Sequence, residues 1–275
     1  MSAPQGMPSV LDAICTRTRQ RLETAPPDMD AIAATLAHEA PALRDAMASL
    51  RLPGARIIAE VKRHSPSEGA LGADVDPAAL ASTYASHGAA AVSVLTEPER
   101  FFGSLADLDA VTAAIETPVL CKDFMVDARQ FTIARAHGAS LALLIVAALT
   151  DRELRDFREQ AEALGLACLV ETHNAEEVHR AVASGARIIG VNSRNLHTLA
   201  IDLAVAESLR PLIPDTAIAV AESGIHTTSD MTRLARAGYD AFLIGSSLMK
   251  SGDPGAQLQA FIAAGDAIIR PRQGH

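Results

Sequence analysis

The sequence predicts an α/β fold, a (β/α)8 TIM barrel with an N-terminal helical extension, and three observations carry that prediction. Eight short apolar runs recur from Arg56 onward, roughly 26 residues apart, as the strands of such a barrel do. Ala- and Leu-rich segments with helical spacing alternate with them. The rival is an open doubly wound sheet, whose nucleotide-binding form carries Gly-x-Gly-x-x-Gly after its first strand, and that motif is absent from this chain.

Residues 1–50 stand outside the repeat. Ser9–Glu23 and Asp30–His38 read as helices divided by Ala25-Pro26-Pro27, and a short helix is expected over Ala42–Leu50. Their Ala and Leu content predicts a segment that packs on something, as a cap over one end of the barrel. Residues 51–275 then form the barrel as a single catalytic domain. Its strands are expected at Arg56–Val61, Ala90–Leu95, Pro118–Lys122, Leu141–Val146, Ala167–Glu171, Arg187–Asn192, Ile218–Glu222 and Ala241–Gly245. These runs look buried on both faces, as parallel strands are. Helices are expected over Asp76–His87, Ser104–Ile115, Asp151–Leu164, Ala175–Ser184 and Ser229–Ala237, among others. Thr150-Asp151-x-Glu153 and Asn174-x-Glu176-Glu177 supply caps and acidic first turns. At the other ends, His87-Gly88-Ala89, His137-Gly138-Ala139, Ser184-Gly185-Ala186 and Ala237-Gly238-Tyr239 each put Gly where a left-handed cap falls.

With 275 residues, 49% of them hydrophobic, the chain can bury a sizeable core. Its longest apolar run, Leu141–Leu149, falls far short of the roughly 18 residues that a membrane helix needs. Met1–Val10 lacks the basic start and apolar stretch of a secretory signal, so a cytoplasmic protein without membrane contact is expected. The charge balance, 24 basic against 33 acidic residues, gives −9, no Lys/Arg block occurs, and aromatics are only 3%. Nucleic acid is therefore not an expected partner. Cys15, Cys121 and Cys168 form no Cys-x-x-Cys pair and no His-Glu-x-x-His occurs, so neither a disulfide framework nor a metal site is expected.

Chemistry in this fold sits at the C-terminal ends of the strands. Those ends read Glu60 and Lys62, Lys122 and Asp123, Glu171, Asn192 and Arg194, Glu222 and Ser223, then Gly245 and Ser246. Strand alternation puts Glu60 and Lys62 on one face and Lys122 with Leu120 and Phe124, and turns Cys121 and Asp123 toward the helices. A buried Lys or Glu either pairs or performs chemistry. The bland reading makes Glu60–Lys62 and Lys122–Glu171 ion pairs that close the barrel top. Five strands ending in polar groups on one rim point instead to a pocket suited to an acid, a base and an anionic substrate. Ala221-Glu222-Ser223-Gly224-Ile225 and Ile244-Gly245-Ser246-Ser247-Leu248 follow strands seven and eight, the usual phosphate seat of these barrels.

Six segments together resemble the indole-3-glycerol-phosphate synthase family: Ala59-Glu60-Val61-Lys62-Arg63-His64-Ser65-Pro66-Ser67, Lys122-Asp123-Phe124, Val170-Glu171, Asn192-Ser193-Arg194-Asn195-Leu196, Ala221-Glu222-Ser223-Gly224-Ile225 and Phe242-Leu243-Ile244-Gly245-Ser246-Ser247-Leu248-Met249. They occur in the family's order and span essentially the whole chain. The resemblance implies ring closure of 1-(2-carboxyphenylamino)-1-deoxyribulose 5-phosphate to indole-3-glycerol phosphate, with loss of CO₂ and water, in tryptophan biosynthesis. It implies Lys122 as general acid at the substrate carbonyl and Glu171 as general base. Lys62 would assist, and Glu60 would orient it or relay protons to it. Asn192 and Glu222 would hold polar groups and the leaving hydroxyl, with Arg194 nearby. Ser223, Gly224, Gly245 and Ser246 would seat the phosphate, and Ser65 and Pro66 belong to the loop after the first strand. The only partner implied is this phosphorylated small molecule; no metal, organic cofactor or obligate protein partner is expected.

Phe124, Leu196 and Phe101 are candidates for the slot that takes the aromatic ring, with ordinary core packing as the alternative for each. Relatives often carry Lys where this chain has Glu68, and Glu68 is expected to point to solvent. His64 and His173 are assigned no catalytic role, His173 being read as a loop residue. Two other readings stay in view. One is phosphoribosylanthranilate isomerase, with Cys121 as its candidate thiol; the other is a non-catalytic phosphate-ligand sensor.

Overall fold

Aliphatic and β-branched residues that cannot find water on either side form the strands, and a barrel gives each of them two dry faces. In the computed structural model, which describes residues 10–65, 67–72, 75–196 and 198–269, the barrel strands are β1 (Arg56–Val61), β2 (Ala91–Leu95), β3 (Val119–Lys122), β4 (Leu141–Ile145), β5 (Ala167–Thr172), β6 (Ile188–Asn192), β7 (Ile218–Glu222) and β8 (Ala241–Ile244), and the loop after β1 holds a short antiparallel pair, His64–Ser65 with Gly69–Ala70. All barrel neighbours pair in parallel, in the closed order β1-β8-β7-β6-β5-β4-β3-β2. Ile58 of β1 lies opposite Ala91 of β2 and Leu243 of β8, which closes the ring. A doubly wound sheet would have two edges; this one has none.

Alternation sorts the side chains. Ile57, Ala59 and Val61 join Val92, Val170 and Phe242 beneath the helices, while Ile58 joins Leu120, Leu143, Leu169 and Val220 inside the barrel. Each such side chain contributes about 1.5–3 kcal/mol on leaving water. The inward positions turn polar toward the strand ends, at Glu60, Lys122, Glu171, Asn192 and Glu222, with Ser93 of β2 beside Glu60.

The helices are α1 (Val10–Thr24), α2 (Met29–His38), α3 (Ala46–Arg51), α4 (Pro77–Ser86), α5 (Leu105–Ala114), α6 (Arg129–Ala136), α7 (Asp151–Ala163), α8 (Ala175–Ala183), α9 (Leu203–Leu209), α10 (Thr228–Ala237), α11 (Ser246–Met249) and α12 (Pro254–Asp266). The expected caps form. Thr150 and Glu153 make a capping box on α7, and the Asn174 side chain accepts from the Glu177 N–H on α8. Gly238, left-handed at φ 98°, ends α10. The α6 helix has no side-chain cap, which removes the start signal that sequence reading relies on.

The extension does more than cover one end. Leu50 and Ala46 of α3 pack among the innermost residues at the N-terminal end of the barrel, and Ser49 Oγ donates to Ala90 O at 2.6 Å. Leu11 and Cys15 of α1 pack at the opposite, C-terminal end, where Leu11 and Ile14 roof the mouth. The third helix begins at Ala46 rather than Ala42, because the Asp45 side chain caps it by accepting from Ala48 N at 2.8 Å. The expected helix start at Ser9 lies outside the described residues, as does Pro66.

Candidate active site

A cavity opens at the C-terminal ends of the strands, and the expected catalytic, substrate-binding and phosphate-binding residues line it. The β1 end supplies Glu60 and Lys62, β3 Lys122, β5 Glu171, β6 Asn192 and β7 Glu222. The loops that follow supply Ser65, Arg194, Ser223, Gly224, Gly245 and Ser246. Phe101, Phe124 and Leu196 give it an apolar wall, Phe101 and Phe124 lying 6.1 Å apart with rings tilted by 36°. Leu11 and Ile14 reach the same space from α1, a contribution that no motif announces.

Lys122 is the electrostatic centre. Its Nζ lies 3.4 Å from Glu171 Oε2 and 3.6 Å from Glu222 Oε2. Lys62 Nζ sits 3.0 Å from Glu60 Oε1, so both of the ion pairs foreseen in the bland reading exist, and both face the cavity. Two missing side chains make room for the carboxyls. A Cβ at Gly190 would meet Glu222 Oε1 at 2.0 Å, and one at Gly245 would meet Glu60 Oε1 at 2.6 Å. Buried ion pairs are a poor way to stabilise a core, since well-packed apolar residues often do as well. So dense a cluster speaks for chemistry.

The two carboxyls beside Lys122 are pushed in opposite directions. Burial raises Glu222, the charge of Glu171 adds to it, and Lys122 only partly offsets them, leaving Glu222 at about 8. Burial acts on Glu171 too, but Lys122, His173 and the Asn192 amide overcome it and hold that carboxyl well below the usual range. The Asn192 Nδ2 donates to Glu171 Oε1 at 3.0 Å, whereas neither Glu222 oxygen has a hydrogen-bond partner. Lys122 itself is raised: burial works against its charge, and Glu171, Glu222 and Glu60 outweigh it. The two carboxyls are thus pushed apart, Glu171 toward the ionised form and Glu222 toward the protonated one, the kind of split that separates a base from an acid.

On the opposite side, Ser223 and Gly224 are both left-handed, at φ 64° and 83°. A serine in that region is strained and such residues cluster at functional sites. Ser246 opens α11, and Ser247 Oγ donates to Ile225 O at 2.8 Å, tying the two loops together. Arg194 Nη1 reaches Ser67 Oγ at 2.9 Å and Leu199 O at 3.2 Å, which fastens the loop after β1 to the loop after β6.

One expectation needs correction. Glu68 does not point to solvent: its carboxylate accepts from Ser246 Oγ in a short bond and pairs with Lys250 Nζ at 2.9 Å, because those donors sit within reach of the loop. Both contacts lower its pKa against partial burial. Asp123 borders the cavity, but its carboxylate accepts at 3.0 Å from Thr96 Oγ1, the hydroxyl that also meets Cys121 Sγ at 3.5 Å, so the side chain lies on the Cys121 side as expected. His173 is a loop residue as expected, between Thr172 and the Asn174 cap, and its nearly buried side chain bridges Glu171 and Glu177. Cys121 does face the helices, and burial pushes its thiol up to about 12. His64 lies at the rim, its Nδ1 2.7 Å from Arg100 O.

Lysines and carboxyls converging at the strand ends of a closed parallel barrel define the class, a (β/α)8-barrel enzyme. The chain matches the family model described as indole-3-glycerol phosphate synthase over residues 11–261. It belongs to the indole-3-glycerol phosphate synthase family. A relative of that name from Paenarthrobacter aurescens is 52% identical over 241 residues, covering 86% of this chain and 88% of the relative. Another, from Micrococcus luteus, is 50% identical over 262 residues, covering 93% and 98%. Among solved structures, 3-hexulose-6-phosphate synthase from Salmonella typhimurium superposes with TM-score 0.63 at 12% identity, over 76% of this chain and 97% of that one. Thiamine phosphate pyrophosphorylase from Pyrococcus furiosus gives 0.60 at 13%, over 80% and 99%. Likeness at that identity bears on the fold alone. No described helix is long and apolar enough to cross a membrane.

Proposed function

We propose that this chain is a carboxy-lyase that converts 1-(2-carboxyphenylamino)-1-deoxyribulose 5-phosphate to indole-3-glycerol phosphate, CO₂ and water, the ring-closing step of tryptophan biosynthesis. Family membership supports the reaction. The observation that supports it at the level of residues is Lys122, buried 3.4 Å from Glu171 and 3.6 Å from Glu222, two carboxyls pushed in opposite directions. An aromatic ring carbon attacks the ketone, and the carbonyl electron pair moves to oxygen, where Lys122 delivers a proton. The ring's C–CO₂ bond then breaks, and its electrons restore aromaticity. In the final step Glu222 gives its proton to the new hydroxyl, which departs as water, and Glu171 accepts the proton lost from the adjacent carbon. Lys62 assists by binding the carboxylate or donating a proton, and Glu60 holds Lys62. Asn192 and Arg194 position the sugar hydroxyls, with Ser65 in the loop beside them.

The phosphate settles against Ser223, Gly224, Gly245 and Ser246, and the aromatic ring against Phe101, Phe124 and Leu196. Residues 51–275 act as the single catalytic domain, capped by residues 1–50. The reading places the enzyme in the cytoplasm and asks for no metal, organic cofactor, nucleic acid or obligate protein partner. The isomerase alternative needs a reactive thiol at the site, and Cys121 is buried on the wrong side of β3.

Indole fluorescence from the purified protein, its substrate and EDTA tests the reaction. We expect emission to rise with the native chain and Lys122→Met to lower kcat by on the order of 10³-fold while substrate still binds. Near-normal kcat in that variant would remove Lys122 from its role. Because Glu222 must keep its proton to donate, kcat should fall on the alkaline side as pH passes about 8. A flat rate from pH 7 to beyond 9 would count against Glu222 as that donor.

A further inference from the structure

The imidazole of His173 is held by two carboxyl groups from opposite sides. Glu177, on α8, accepts twice through Oε2, from the His173 backbone N–H at 2.8 Å and from Nδ1 at 3.0 Å. Its other oxygen accepts from Asn174 Nδ2 at 2.6 Å, so the acceptor is fixed in place. On the far side, Nε2 lies 3.2 Å from Glu171 Oε1. The His173 side chain is only 10% exposed, which leaves little room for water to replace either partner. A neutral imidazole offers one N–H and one lone pair. With Nδ1 donating to Glu177, a neutral ring would aim its Nε2 lone pair at the ionised Glu171, an unfavourable contact in a dry site. A ring protonated on both nitrogens donates through Nδ1 to Glu177 and faces Glu171 as an ion pair at 3.2 Å, with Nε2 not aligned for a hydrogen bond.

The surroundings of the Glu171 and Glu222 carboxyls are correspondingly unequal. Glu171 is faced by His173 from its own loop, Lys122 from β3 and Asn192 from β6. Glu222, on β7, is faced by Lys122 at 3.6 Å and accepts no hydrogen bond. Glu171 also faces Glu222 across the site, and the charges that act on His173 are those of Glu171 and Glu177.

We propose that His173 is a positioning residue whose imidazolium, clamped by Glu177, fixes Glu171 as the ionised member of the Glu171–Glu222 pair and so leaves the proton on Glu222. Its kinetic consequence rests on the reaction assigned above, whereas the protonation itself does not. The histidine's titration runs in the same direction: burial works against the charge, and the two carboxylates, Glu177 hydrogen-bonded and Glu171 at 3.2 Å, outweigh it, raising His173 to about 10.

The test pairs an NMR titration of the histidine ring nitrogens with pH–rate profiles of the native chain, His173→Gln and Glu177→Gln. In the native chain the His173 resonances should stay those of an imidazolium through pH 8.5. A neutral ring at pH 7 would overturn the proposal. His173→Gln should lower kcat by on the order of 10- to 100-fold, leave KM within a few fold, and move the acid limb up by about one pH unit. Should that variant fail to fold, Glu177→Gln keeps the histidine but removes its clamp, and the acid limb should move the same way by less. An acid limb unmoved in a folded variant would overturn the positioning role. Absence of turnover in the native chain would overturn the reaction assignment alone, since the NMR titration still decides whether His173 carries the charge.

Discussion

Glu68 puts a carboxylate on Ser246 and Lys250, beside the place proposed for the substrate's phosphate. Two anions cannot share those donors, so the incoming phosphate has to displace the side chain or bind beside its charge. Glu68→Gln should therefore lower KM for the phosphorylated substrate several-fold with little change in kcat, and strengthen inhibition by inorganic phosphate. An unchanged KM in a folded variant would mean that the carboxylate lies outside the phosphate's path. Lysines, carboxyls and serines at strand ends were legible because type and position coincide there. The orientation of Glu68 was not, since a loop residue has no alternation to fix its direction. His173 escaped for a related reason: its role depends on Glu177, four residues on in sequence, and a helix must form before they meet.

At the scale of elements, the repeat located all eight strands to within about one residue, because each buries both faces and must be continuously apolar. Helix ends followed where a cap or a glycine marked them. The α6 helix, without a side-chain cap, shows what is lost when those marks are missing. Strand alternation held along each strand and one residue past β3, where Asp123 shares the Thr96 hydroxyl with Cys121. The α1 helix belongs to the cavity as well as to the extension, through Leu11 and Ile14. Its surface tie to the loop after β2, Arg17 to Glu99 at 2.9 Å, is exposed and worth little. The apolar contacts are what count. Deleting residues 1–27 should raise KM several-fold while the barrel keeps its far-UV circular dichroism. An unaltered KM would make α1 a bystander.

For the molecule as a whole, α3 contributes to stability through a residue far from the chemistry. Leu50 is 2% exposed and fills the N-terminal end of the barrel, where the surrounding strands leave little freedom to collapse. Leu50→Ala should cost about 2–5 kcal/mol, read from urea unfolding, with kcat at 25 °C nearly unchanged. A loss under about 1 kcal/mol would mean that the end closes without it. The pH dependence of stability should follow the raised groups. His173 favours the folded state below its ordinary value of 6.5, and that contribution is lost as pH rises through about 10. Glu222 acts the same way between 4.5 and about 8, while Glu171, whose pKa is lowered, stabilises above 4.5 and gives that up as pH falls.

The Leu50 stopper also turns the barrel into a vessel with a floor. Whatever enters beneath α1 has to come back out beneath α1. Carbon dioxide and water are small enough to slip past the roof, but the bicyclic product is not, and it must retreat along the path its precursor took. Arrival and departure therefore queue at one doorway, and the pace of the enzyme is bounded by how often that door clears. A more viscous solvent should slow turnover of the good substrate while leaving a chemically sluggish variant such as Lys122→Met indifferent.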